Sequence, residues 1–260
     1  METGFYKKNI YGHSFSKMPV EFYEAGQGRA ILFLGSFSPD PTLEDVFSLF
    51  MEEIAESAGE KCGALSFPVL LFNRRLIFLP FPNPDARLIK SPDFTPAHPL
   101  YDRVCRIAKG EAPDRWQANC RGVDPAVNFN CAFSSYKKKC PSGPAPAGFC
   151  GEFPESEPES GAIARLLRFL DAVLLVRFDK GEGLSLAAGE KHPQLSRLCA
   201  SHSFLPPASF DFSCSPEGWA LEERAVPSLH IGIPEECLTS SSPARLYGLL
   251  RPLLFALLAF

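Results

Sequence analysis

Apolar runs of strand length alternate along the chain with amphipathic and irregular stretches. Arg29–Gly35 (RAILFLG) is continuously apolar after its first residue, the pattern of a strand covered on both faces. The next segment, TLEDVFSLFMEEIAESAG, sets Leu43, Val46, Phe47, Phe50 and Ile54 on one helical face, with Thr42 and Asp45 as start signals. FPVLLF (67–72) and RLIFLP (75–80) read as two further strands. EPESGAIARLLRFL predicts a helix with acidic residues at its N-terminal end, DAVLLVRF another buried strand, and VPSLHIGIP (226–234) the last strand. PARLYGLLRPLLFALLAF closes the chain as a buried helix bent at Pro252. Strands interleaved with helices argue for an α/β sheet. Residues 1–28 have no clear period and are expected to form an N-terminal extension or edge hairpin ahead of one domain over 29–260.

Between Phe81 and about Pro154 the periodicity lapses, and so long a connection in a compact domain is usually functional. Composition sharpens this. The 260 residues include 25 prolines and 23 phenylalanines but only 5 histidines. Histidine is the commonest metal ligand and neutral-pH acid–base group, so the chemistry available is restricted. A net charge of −4 carries no signature of nucleic-acid binding, and Lys137–Lys139 reads as a solvated loop. The C-terminal tail, broken by Arg251 and Pro252, is shorter than the ~20 residues of a membrane span. METGFYKKNIYGHSF lacks the apolar core of a signal peptide, and the 9 cysteines are odd in number and widely spread. Reduced thiols in a cytoplasmic protein are expected.

Four segments in order carry a resemblance: ILFLGSFSPDPTLEDVF, LIFLPFPNPDAR, WQANCRGVD and FPESEPES. They resemble the zinc carboxypeptidase family of metallopeptidases, in particular its bacterial branch of γ-D-glutamyl-diaminopimelate peptidases, in which strand-end Asn-Pro-Asp-Gly, Trp-Lys-Ala-Asn-x-Arg-Gly-Val-Asp and Ser-Glu-Pro-Glu-Ser recur. The resemblance implies a single carboxypeptidase-like α/β domain, with a mixed central β-sheet and helices on both faces.

It also implies a site. Catalytic zinc needs three protein ligands and an open position for water, and a carboxylate must take that water's proton. On this sequence the family's His-x-x-Glu ligand pair falls on Ser38 and Pro41, and a shift of register reaches only Asp40. The third ligand falls on Phe178, with Arg177 or Asp179 one step away, and the general base falls on Gly232. His230, two residues earlier on the same strand face, is the imidazole near the inferred site. The substrate-holding polar pair falls on Ala126 and Val127, and Gln117 replaces a basic residue. Trp116, Asn119, Arg121, Gly122 and Asp124 are retained, with Arg121 and Asp124 expected to clamp the loop and Gly122 to supply an unusual φ.

Ligands, base and substrate-holding pair fail together, so the expectation is a pseudoenzyme with no cofactor, where active relatives hold zinc. It would act as a binding or regulatory module for a peptide, with peptidoglycan stem peptides the class implied; the sequence names no protein partner. The alternatives are an active zinc carboxypeptidase with a relocated or atypical metal site, and a metal-free hydrolase using Cys120 or Ser38. The old cleft is expected to be dry and apolar. Cys199-x-x-His202 with His192 and Cys214 fits no common zinc module, and Cys120 with His230 reads as an inert thiol beside a core imidazole. Glu152, Glu155, Glu157 and Glu159 read as solvated charge at a helix start.

Overall fold

The computed structural model describes residues 5–57, 61–62, 65–110, 116–187 and 192–259. It begins with a hairpin, β1 (Lys7–His13) and β2 (Pro19–Gly26), followed by β3 (Arg29–Leu34) and α1 (Pro41–Glu56). Two short strands, β4 (Lys61–Cys62) and β5 (Leu65–Ser66), pair with each other ahead of α2 (Phe67–Asn73), β6 (Arg74–Leu79), α3 (Pro84–Lys90) and α4 (Tyr101–Ala108). Beyond a 3-10 turn at Pro125–Val127 come α5 (Phe133–Lys137), α6 (Pro158–Phe169), β7 (Ala172–Lys180), β8 (Gly183–Ala187), α7 (Pro193–Ser201) and α8 (Pro216–Arg224). The chain closes with β9 (Ser228–Ile233), α9 (Glu235–Ser240) and α10 (Pro243–Leu258).

Seven strands form a mixed sheet in the order β1-β2-β6-β3-β7-β9-β8, so the domain is α/β. The central ladders β6–β3, β3–β7 and β7–β9 are parallel, and antiparallel strands close both edges. Alternation within the apolar runs then builds two cores. Ile31, Phe33, Leu174, Val176, Phe178, Leu229 and Ile231 point to one side, where α1 and α10 cover them. Phe33 stacks on Phe78 at 5.1 Å, and Phe47 meets both Phe78 and Phe178 edge-on. Ala30, Leu32, Leu34 and Leu175 point to the other side, against Ile163, Leu166 and Leu167 of α6 and Trp219 of α8. A third cluster (Ala86, Ile89, Val104, Trp116, Ala118, Cys120) anchors the irregular segment to α3 and α4.

Beyond the short helices that the sequence did not announce, the structure departs from the sequence reading at two elements next to or within the sheet. FPVLLF is the helix α2, not a strand; a short apolar run does not distinguish the two, and Pro68 suits a first helical turn better than a sheet interior. The strand β8 escaped notice because GLSLA is short and starts on a glycine at φ +135°. The helix α10 runs on through Pro252, which is exposed. No helix among the described residues is long and apolar enough to cross a membrane.

Candidate functional site

The retained motif residues fold the loop rather than line an opening. Trp116 is buried and donates from Nε1 to the Ala118 carbonyl at 2.7 Å. Asn119, fully buried, donates to Glu157 Oε2 (2.8 Å) and Glu159 Oε2 (3.2 Å) and accepts from the Arg121 and Val123 amides. Arg121 pairs with Glu157 at 3.5 Å, whereas Asp124 accepts from the Ala126 and Gly148 amides, both at 3.0 Å. Arg121 and Asp124 thus both hold the loop, each through its own partners. Gly122 has φ +83°, and a Cβ there would lie 2.8 Å from Pro144, so glycine is required twice over. Ala126 is buried in the core beneath α6, and Val127, half-buried, ends the 3-10 turn.

Two of the four glutamates read as solvated charge are instead fully buried. Glu157 and Glu159 sit beneath the loop at the start of α6. Glu159 accepts from the Phe15 amide as well as from Asn119, and burial, then the neighbouring Asp85, push its carboxyl up to about 8. Asp85 is itself buried and accepts from Ser16 and from the Cys120 amide. These partners come from distant parts of the chain. Asn128, passed over in the sequence, ties the same region together through the Cys150 carbonyl (2.7 Å) and the Glu157 amide (3.0 Å).

The four positions on which the sequence reading places metal ligands and base do not converge. Ser38 is buried and accepts from Lys90 Nζ at 3.3 Å. Pro41 is the first residue of α1, capped by Asp40, which also pairs with Lys180 at 3.1 Å. Phe178 points to the α1 side, 5.4 Å from Phe47, and so away from His230 and Gly232. A Cβ on Gly232 would lie 2.9 Å from Gly181 Cα and 3.0 Å from the Gly183 carbonyl; the turn between β7 and β8 leaves no room there for a carboxylate side chain. A pit of about 10 Å³ lies between Ser36, Asp40 and Phe178, scarcely room for one water.

What fills the α8 side of the sheet at this end is charge. Arg177 pairs across the ladder with His230, so both side chains share that face. The Arg177 guanidinium is buried, pairs with Asp179, lies 3.4 Å from Glu217 Oε2 and sits 5.0 Å over the Phe37 ring. Glu217 Oε1 is 2.9 Å from His230 Nδ1, and Phe210 stacks on the imidazole at 4.0 Å. Ser36 Oγ donates to Asp179 at 2.8 Å, joining the loop after β3 to the end of β7. Burial alone would raise Glu217, but Arg177 and His230 outweigh it and hold its carboxyl at about 2. Asp124 is raised by burial to about 6, with the Gly148 and Ala126 amides and Arg177 opposing.

The face that holds Arg177 and His230 is therefore charged rather than apolar, a correction to the sequence expectation. The sequence reading missed Phe37 and Glu217, and named Asp179 only as a shifted ligand position. The signal lay in alternation: VLLVRFD sets Arg177 and Asp179, and SLHIGI sets Ser228 and His230, two residues apart on one face. These residues do not fit zinc. A guanidinium with a permanent positive charge occupies the centre, and among the described residues no three His, Cys, Asp or Glu side chains are grouped to hold a metal. Cys120 lies against Asp85 in the third cluster, its thiol pushed well above the ordinary range by burial and that carboxylate, and His230 is not its partner. Cys199 is buried in α7, whereas Cys214 bonds through its backbone to Cys131 and Phe129.

With this geometry in hand, solved structures offer a comparison. Thrombin-activatable fibrinolysis inhibitor superposes with a TM-score of 0.69 at 15% identity, over 98% of this chain and 70% of that one. A metallo-carboxypeptidase from Burkholderia cenocepacia gives 0.66 at 10% identity, over 99% and 65%. The fold is that of the metallocarboxypeptidases. Murein-tripeptide amidase MpaA from Escherichia coli O157 shares this carboxypeptidase fold as well, with 0.57 at 18% identity, over 95% and 91%. No protein-family model and no curated protein matches the sequence.

Proposed function

We propose that this carboxypeptidase-fold chain is a pseudoenzyme, whose former metal face has become a structural ion-pair core, and that it acts as a binding or regulatory module for a peptide. One observation carries the reading: the Arg177 guanidinium, enclosed by Asp179, Glu217 and Phe37, takes up the face where a metal and its water would be needed. Hydrolysis in this fold requires a Lewis acid and a carboxylate base. A cation beside Arg177 would be repelled, and Gly232 has neither a side chain nor space for one. The register that suits the geometry puts Phe37 and Arg177, rather than Ser38 and Phe178, on the old site. Asn119 and Asp124 are occupied in holding the loop; Arg121, half-exposed, is the retained residue still open to a ligand.

A ligand site is then to be sought beside the sealed face. A groove of about 670 Å³ runs there between Pro39 and Pro41, Met18 and Pro19, and Phe81, Arg87 and Lys90. The likeness to a murein-tripeptide amidase and the motif WQANCRGVD favour a peptidoglycan stem peptide as the first ligand to test. The test combines calorimetry and product analysis with stem tripeptide, with and without added zinc. Binding without hydrolysis supports the reading. Hydrolysis abolished by a chelator overturns it in favour of an active zinc peptidase.

A further inference from the structure

Cys140 and Cys150 bracket the segment PSGPAPAGF, and their sulfurs lie 3.4 Å apart. Among the described side chains they are the one pair of thiols within hydrogen-bonding distance of each other. Both backbones are pinned: the Cys140 amide donates to the Tyr136 carbonyl at 3.1 Å, and the Cys150 carbonyl accepts from Asn128 at 2.7 Å. A disulfide needs the sulfurs at ~2.05 Å, a closure that side-chain rotation at the half-exposed Cys140 can supply.

The bracketed segment supports the motif loop directly. The Gln117 and Ala118 amides both donate to the Pro146 carbonyl at 2.8 Å, and the Ala145 amide donates to the Gly122 carbonyl at 3.0 Å. Asp124 is held from both sides, its amide on the Phe149 carbonyl and its carboxylate under the Gly148 amide. Whatever fixes 140–150 therefore fixes 117–124.

We propose that Cys140 and Cys150 form a reversible disulfide on meeting a low-molecular-weight disulfide oxidant, and that this bond locks the segment on which residues 117–124 rest. The proposal does not depend on how the former metal face is read. Cys140, the reachable thiol, attacks one sulfur of the small disulfide as thiolate; that S–S bond breaks and the departing thiolate takes up a proton. Cys150 then attacks the Cys140 sulfur and displaces the second small thiol, which takes up the other proton. Two protein thiols are oxidised and one small disulfide is reduced to two thiols. Burial, with Cys140 alongside, pushes the Cys150 thiol up to about 12, which suits it to the second, intramolecular step rather than the first.

The test uses the full chain with oxidised and reduced glutathione poised near ~−200 mV, followed by alkylation and tryptic digestion without reduction. Cleavage after Lys139 and Arg165 leaves both cysteines in one peptide. The expected product is that peptide lighter by two hydrogens and unalkylated, with hydrogen exchange at the 117, 118 and 124 amides slowed by about tenfold and Tm raised by about 5 °C. Cys150→Ser should trap a glutathione adduct on Cys140, whereas Cys140→Ser should leave Cys150 unmodified. Full alkylation of the wild-type peptide, a persistent glutathione adduct, or a link from either cysteine to a different one overturns the proposal. A disulfide that leaves exchange at 117–124 unchanged overturns the locking role.

Discussion

The two faces of strand β7 are both sealed from water, yet they are built on opposite principles. On the α1 side, Val176 and Phe178 join an apolar core in which shape is the requirement. On the α8 side, one residue away, Arg177 sits in an enclosed set of Asp179, Glu217 and His230, in which every charge needs its partner. An apolar core tolerates exchange of one hydrocarbon for another. A buried ion pair does not tolerate loss of one member. On the proposed reading, a catalytic face that exchanges its metal for a guanidinium keeps a positive charge among carboxylates and gives up the open coordination position.

The largest effect should come from breaking the charged side alone. Arg177→Met is expected to cost about 3–5 kcal/mol by urea unfolding, because it strands Glu217 in the interior, and adding Glu217→Met should recover a large part of it. A cost below about 1 kcal/mol would erase the contrast between the faces. A pH series probes the buried acids next. Glu159 has its carboxyl raised to about 8 from 4.5, so the folded state favours its neutral form, and its contribution is lost as pH climbs from the unfolded value through the folded one. Stability should fall by about 5 kcal/mol over that window, and Glu159→Gln should flatten this arm. Glu217, held at about 2, acts in the opposite sense: its contribution is present above 4.5 and lost as pH falls toward 2, an arm that Glu159→Gln leaves intact. Gly232→Ala should cost about 1–3 kcal/mol, since its Cβ meets backbone rather than a movable side chain. On the apolar side, Phe178→Leu should cost no more than about 1.5 kcal/mol; a loss as large as that of Arg177→Met would show that shape matters there as much as charge does opposite.

The sequence disclosed the central strands because each is a run of buried residues, and α1 because its apolar residues recur on one face. It also placed the motif loop and its glycine correctly. Helix α2 was not legible, since seven residues carry too little periodicity to tell helix from strand. The state of Glu157 and Glu159 was not legible either. Local acidity says solvent, and only Asn119 and the Phe15 amide, brought in from two other segments, make these buried carboxyls tenable, while Asp85 drives Glu159 toward its neutral form. On the proposed reading the register of the old site shifts by one residue, and that shift was illegible for a similar reason. Phe178 and Arg177 lie on opposite sides of the sheet, and the pairing of Arg177 with His230 that decides between them is a property of the folded ladder.

The most direct measurement is the zinc content of chain purified without an affinity tag, stripped with chelator and dialysed against one equivalent of zinc. With Arg177 at the centre of that face, the account predicts far less than one zinc retained per wild-type chain. About one zinc per wild-type chain, removed by chelator and restored on addition, would contradict it.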